Sequence, residues 1–150
     1  QHFIPIFSRV IFSATSRLGL GRGKVSIPIH ERFFAGGSNS FRGTRFDDLG
    51  PKDPDSQRPV GGEGLLLFNF ELTFPLVSSI RDLSGALFYD KGSVFDVPKH
   101  LKFAALQDAV GFGIRYRTPL GPVRFEIGWN LNVPSEKRKP LAFITIGNIF

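Results

Sequence analysis

The sequence predicts an all-β chain of about six antiparallel strands, and three observations carry that expectation. Apolar residues recur with a period of two in successive segments. The punctuation is dense, with 17 Gly and 11 Pro in 150 residues, and the apolar content is aromatic, with 17 Phe. A period of two puts alternate side chains on opposite faces of a strand, while Gly and Pro supply the turns between strands.

Phe3 to Leu18 reads as one strand, with Arg9, Ser13, Thr15 and Arg17 sharing a parity. A long loop follows, and Glu31-Arg32-Phe33-Phe34-Ala35-Gly36-Gly37-Ser38-Asn39-Ser40-Phe41-Arg42-Gly43 is its most patterned part. Loops of this length in compact domains are usually functional or disordered. Phe33, Phe34, Phe41 and Phe46 are anchors that disordered tracts lack, so a function is expected. In the next strand Leu66, Phe68, Phe70, Leu72 and Phe74 share one face and Asn69, Glu71 and Thr73 the other; Pro75 to Asp82 is its connection.

Ser84 to Asp96 is a further strand, with Leu87 and Tyr89 opposite Phe88 and Asp90, and Pro98 to Asp108 is a loop with room for a short helical turn. From Val110 to Arg117 every even position is apolar and every odd one is Gly or Arg. Thr118-Pro119-Leu120-Gly121-Pro122 then reverses the chain. The following strand sets Val123, Phe125, Ile127, Trp129 and Leu131 against Arg124, Glu126, Gly128, Asn130 and Asn132. Val133 to Pro140 is a polar loop. The last strand, Leu141 to Phe150, places Ala142, Ile144, Ile146 and Phe150 on one face.

Composition removes several classes of function. Without Cys there is no disulfide framework or thiolate site, and His2, His30 and His100 are too far apart to suggest a metal centre. Asp47, Asp48, Asp53 and Asp55 match no Ca²⁺ loop spacing, and no nucleophile elbow occurs, so neither a cofactor nor catalysis is expected. The net charge of +6 is spread along the chain, which argues against nucleic acid. No run reaches the roughly 18 apolar residues of a spanning helix, but a spanning strand needs only about 9–11. The sequence has no Met and opens inside a strand pattern at Gln1-His2-Phe3, as expected of a fragment.

Alternation alone leaves two arrangements open, an apolar core with a wet outside or a lipid-facing outside with a polar interior. Gly111, Gly113, Gly128, Asn130, Arg115 and Arg124 on the second face are closer to the interior of a water-filled or plugged barrel. About six strands are too few for a complete outer-membrane barrel, so a fragment of a larger one is expected.

The motifs then resemble a known family. Phe34-Ala35-Gly36-Gly37 with Phe41-Arg42-Gly43, Glu71 in the following strand, Phe88-Tyr89-Asp90-Lys91-Gly92, Thr118-Pro119-Leu120-Gly121-Pro122 and the ending Ile146-Gly147-Asn148-Ile149-Phe150 resemble, in order, the C-terminal barrel of BamA/TamA-type outer-membrane assembly proteins. The resemblance covers essentially the whole chain. It implies that residues 1–150 form about the last six strands of a 16-stranded transmembrane β-barrel, with the upstream strands and periplasmic POTRA domains missing. It also implies that the long extracellular loop folds back into the lumen.

By the same resemblance the lumen loop motif is Phe41, Arg42, Gly43 and Thr44, and Arg42 is expected to meet Glu71 and Asp90 on the inner wall. Thr44 stands where the motif has an aromatic residue, and Phe46 is the neighbour that could supply that contact. Ile144, Ile146, Gly147 and Phe150 correspond to the terminal-strand signal. The implied function is assembly and insertion of β-barrel proteins into the outer membrane of a Gram-negative-type bacterium, by strand templating at a lateral seam. Membrane lipid, unfolded outer-membrane proteins and accessory lipoproteins or a periplasm-spanning partner would be its partners. A two-partner secretion transporter, and a soluble β-sandwich or small binding barrel with the aromatic face as its core, are the alternatives.

Overall fold

The computed structural model of the chain describes residues 2–7, 9–21, 23, 27–119 and 121–147. Within them seven strands form one antiparallel sheet in sequence order. They are β1 (His2–Phe7), β2 (Val10–Leu20), β3 (Gly64–Pro75), β4 (Leu83–Phe95), β5 (Gln107–Thr118), β6 (Gly121–Asn130) and β7 (Leu141–Ile146). This up-and-down order gathers the long connections, 21–63, 96–106 and 131–140, at one end of the sheet, the loop end. The short connections lie at the other, the turn end.

The sheet has one strand more than expected because Phe3 to Leu18 is a hairpin. β1 and β2 pair antiparallel, Phe7 lies opposite Val10, and the register shifts between Pro5 and Phe7. Phe3, Ile4, Pro5, Ile6 and Phe7 are apolar on both parities, so no break in alternation marks the reversal. Pro5, which donates no ladder bond, stands at the register shift, where regular pairing is interrupted. Between β4 and β5 the chain makes two single 3-10 turns, Pro98–His100 and Phe103–Ala105, and β5 already begins at Gln107. β6 ends at Asn130, and β7 at Ile146, so Phe150 lies outside the described residues.

Register divides the sheet into two faces. Phe70, Tyr89, Val110 and Trp129 sit side by side on one; Asn69, Asp90, Ala109 and Asn130 sit side by side on the other. Rings pack along the first face, with Phe70 stacked between Phe12 and Tyr89, and Phe112 against Trp129. That face is nevertheless uncovered: Leu87, Phe112, Ile114, Tyr116 and Phe125 are 41–50% exposed, and Ile144 and Ile146 73%. A soluble sandwich would have buried it.

The core lies on the opposite face, where the long loop packs. Ala35, Phe41 and Leu49 from the loop join Leu67, Val94 and Ala109 from β3, β4 and β5. A bare aromatic face outside and a packed, partly polar face inside is the arrangement of a transmembrane β-barrel wall. No helix among the described residues is long and apolar enough to cross a membrane.

Candidate functional site

The loop reaches the wall because its backbone is folded tightly on itself. Gly36 and Gly37 adopt φ of 125° and 85°, a region that L side chains avoid. The turn is closed by the Ser40 hydroxyl, which accepts from Gly36 N at 2.7 Å and donates to Gly36 O at 2.9 Å. Gly37 N donates to Phe41 O and Thr44 O. The wall holds the tip in turn: Asn69 Nδ2 donates to Ser40 O at 2.6 Å, and Arg17 on β2 to Asn39 O. Phe41 is fully buried, which fixes the direction of the next side chain, Arg42.

Arg42 lies over the inward row Glu71, Phe88, Gly111, Gly128, contributed by β3, β4, β5 and β6. Two glycines in this row are needed for contact. A Cβ on Gly128 would overlap the carbonyl oxygen of Arg42, and one on Gly111 would overlap the ring of Phe88. The Phe88 ring therefore lies flat against the sheet, with the Arg42 guanidinium 3.6 Å above its centroid. Gly43 is equally constrained, since a Cβ there would stand 2.6 Å from Ala109 Cβ and 3.1 Å from Asn130 Cα.

Three carboxylates surround the guanidinium. Asp90 is engaged bidentately, by Nε at 2.8 Å and Nη2 at 2.7 Å, and it also accepts from Arg42 N at 3.0 Å and Asn69 Nδ2 at 2.8 Å. Glu71 Oε2 accepts from Nη1 at 2.8 Å, and Glu126 Oε1 from the same nitrogen at 3.1 Å. Asp90 and Glu126 are wholly buried and Arg42 is 6% exposed. A second cation, Arg115, bonds Glu71 Oε1 at 2.5 Å, Glu71 Oε2 at 2.6 Å and Glu126 Oε1 at 2.9 Å. Arg124 faces Arg115 directly across the β5–β6 ladder. Burial works against the charge of Arg42, but Asp90 above all, then Glu126 and Glu71, more than offset it and hold the group above its ordinary pKa.

The motif residues thus take different places. Phe41 is in the core, Arg42 in the ion cluster, and Gly43 against the wall. The Thr44 hydroxyl is buried with no hydrogen-bond partner among the described residues. Phe46 does not enter the cluster. Its ring covers Gly37 and meets the edge of Phe143 on β7, centroids 5.8 Å apart at 85°. Glu71 and Asp90 both reach Arg42. Glu126 and Arg115 complete the cluster; the sequence placed both on the polar face of their strands but did not name them as partners of the Arg42 site. Ile144 and Ile146 point outward and Gly147, at φ 98°, donates to Pro122 O at 3.0 Å. Phe150, the remaining member of the expected terminal signal, is not among the described residues.

With both oxygens of Asp90 and Glu71 and one oxygen of Glu126 engaged by guanidinium donors, the carboxylates act as a clamp on the loop. Toward the turn end the loop tip and the wall border an open cavity of about 670 Å³, lined by Ser13, Thr15, Arg17, Asn39, Arg115 and Arg124 among others.

A model of the Omp85 superfamily domain matches residues 1–150. The outer membrane protein assembly factor BamA of Nitratidesulfovibrio vulgaris is 34% identical over 116 residues, which cover 75% of this chain and 14% of that protein. A SAM50-like protein of Schizosaccharomyces pombe is 28% identical over 149 residues, covering 89% of this chain and 30% of that protein. The crystal structure of BamA from Haemophilus ducreyi lacking POTRA domains 1-3 has the same fold, with a TM-score of 0.75 at 19% identity over 95% of this chain and 32% of that one. The chain therefore spans 14% and 30% of the lengths of these two curated relatives.

Proposed function

The chain belongs to the Omp85 superfamily, and we propose that it serves in assembly and insertion of β-barrel proteins into the bacterial outer membrane, as the closing part of a larger barrel with POTRA domains upstream. It is an outer-membrane protein, and on this reading it works without catalysis. Its partners are unfolded outer-membrane proteins and lipid, with accessory lipoproteins or a periplasm-spanning partner as further components.

The observation that carries the reading is β7, the last strand among the described residues, which pairs with β6 from Leu141 to Ile146 and turns Ile144 and Ile146 outward. On this reading β7 lies at the barrel seam, where N–H and C=O groups freed by opening template an incoming strand. That lowers the cost of bringing backbone polar groups into lipid.

The docked loop supports assembly over export. A secreted polypeptide would have to cross the lumen where the Arg42 cluster holds the loop, whereas lateral templating leaves the loop in place. Arg42 is the positioning residue in this scheme, Glu71, Asp90 and Glu126 its receptors, and the Ile144, Ile146 and Gly147 segment the strand end that substrates meet.

Photocrosslinkers in the full-length protein test this. A probe at Ala142 or Ile144 is expected to capture outer-membrane barrels during their insertion. Capture of a soluble exported protein from Thr15 or Arg17 in the cavity, with none from β7, would replace assembly by two-partner secretion.

A further inference from the structure

The connection 96–106 does not stand off the loop end; it folds back over the outward face. A Cβ on Gly64 would lie 3.3 Å from Pro98 Cα. Leu101 packs on the buried trio Leu66, Phe95 and Leu106. Phe103 stacks on Phe68, centroids 6.3 Å apart, yet stays 68% exposed.

Two features fix the height of this segment in a bilayer. Irregular backbone with unpaired polar groups is not tolerated facing hydrocarbon, so the segment belongs at headgroup level. Beside it, directly across the ladder from Phe68, is Lys91, whose ammonium donates to Asp108 at 2.7 Å on the outward face. The Tyr89 hydroxyl also donates to Asp108. An ion pair and a tyrosine hydroxyl at the same height as the folded-back loop mark the membrane–water boundary. Toward the turn end the outward face is apolar, from Phe70 and Leu72 to Leu87, Phe112 and Ile114.

Lys99 and Lys102 flank Leu101 at this boundary. Both are exposed, and neither forms an ion pair among the described residues. The nearby Asp96 is occupied by His100 at 2.7 Å. Two ammoniums without an ion pair among the described residues, on the same short connection as Leu101 and the exposed Phe103 ring, complement a molecule that is anionic at one end and apolar along the rest.

We propose that the β4–β5 connection is a docking surface for a membrane phospholipid of net negative charge, with Lys99 and Lys102 on the anionic headgroup and Leu101 and Phe103 along the upper part of an acyl chain. The proposal rests on the membrane placement of the sheet and not on what the barrel assembles.

Its test uses the full-length protein in neutral detergent, offered phosphatidylglycerol or phosphatidylcholine, with retained lipid measured by native mass spectrometry. Wild type is expected to retain phosphatidylglycerol in preference. The double variant Lys99→Gln/Lys102→Gln is expected to lose roughly tenfold or more of that affinity. Lys137→Gln/Lys139→Gln, an equal charge change on the β6–β7 connection, is expected to keep it. Equal retention of the two lipids by wild type, unchanged binding by the first variant, or an equal loss in the second would each overturn the proposal. None of these results bears on the crosslinking test from β7.

Discussion

Arg42 and Arg115 hydrogen-bond the same two oxygens, Glu71 Oε2 at 2.8 and 2.6 Å and Glu126 Oε1 at 3.1 and 2.9 Å. One guanidinium comes from the loop and the other from the wall, so those two carboxylates keep a cation if either is lost. Asp90 has no such reserve, since among the described residues its only donor outside Arg42 is Asn69.

The two arginines should therefore be unequal. Arg42→Gln strands a wholly buried Asp90, and is expected to cost the docked loop about 3–5 kcal/mol. Arg115→Gln leaves Arg42 on all three carboxylates, and about 1.5–3 kcal/mol is expected. Hydrogen exchange of residues 36–46 in the full-length protein reads both. Equal loss of protection would show that the shared oxygens give no redundancy.

Among the carboxylates, Asp90→Asn should weaken the loop more than Glu126→Gln. Asp90 takes four donors on two oxygens. An amide would present its own N–H to two of them, adding repulsion to a lost charge. Glu126 uses one oxygen, which a glutamine keeps. Thermal release of the loop, followed by protease cleavage near Gly36, should rank the two variants in that order.

Gly128→Ala tests close approach without touching a charge. Its Cβ would overlap the Arg42 carbonyl, a backbone atom that cannot rotate away. Overpacking of this kind costs about 1–3 kcal/mol. Residues 40–44 are expected to lose exchange protection while β5 and β6 keep theirs; loss confined to the strands would point to sheet damage instead.

Phe46 and Phe143 should be coupled. Their edge-to-face contact at 5.8 Å joins the loop to β7. A double-mutant cycle of Phe46→Ala and Phe143→Ala should return about 0.5–1.5 kcal/mol. A value near zero would mean that the loop and the last strand are energetically independent.

Much of this was legible in the sequence, for local reasons. The alternation in β3 and β5 separates the two faces cleanly, which put Glu71 on the inner one. Phe88 and Asp90 share a parity, but it was the family resemblance that set Asp90 against Arg42. Glu126 was visible as inward-facing, but its partner Arg42 is 84 residues away, and only the cross-strand register brings them together. Inward glycines at 111 and 128 were the available signal that something packs flat against this wall. The β1–β2 hairpin stayed hidden because apolar residues occupy both of its faces. Phe46 stands next to the motif in sequence but serves β7, a role set by tertiary contact alone.

The separation between Arg42 and its receptors also constrains the order in which the chain can mature. The loop is synthesised before β3, β4, β5 and β6, so Arg42 exists before any of its carboxylates does. A slip of one residue in any of these strands would turn Glu71, Asp90 or Glu126 to the lipid side. Only correct alignment of the strands bearing them presents all three to one guanidinium. The clamp can thus close fully only once β3, β4 and β6 are in register, and its closure reports that their alignment is right.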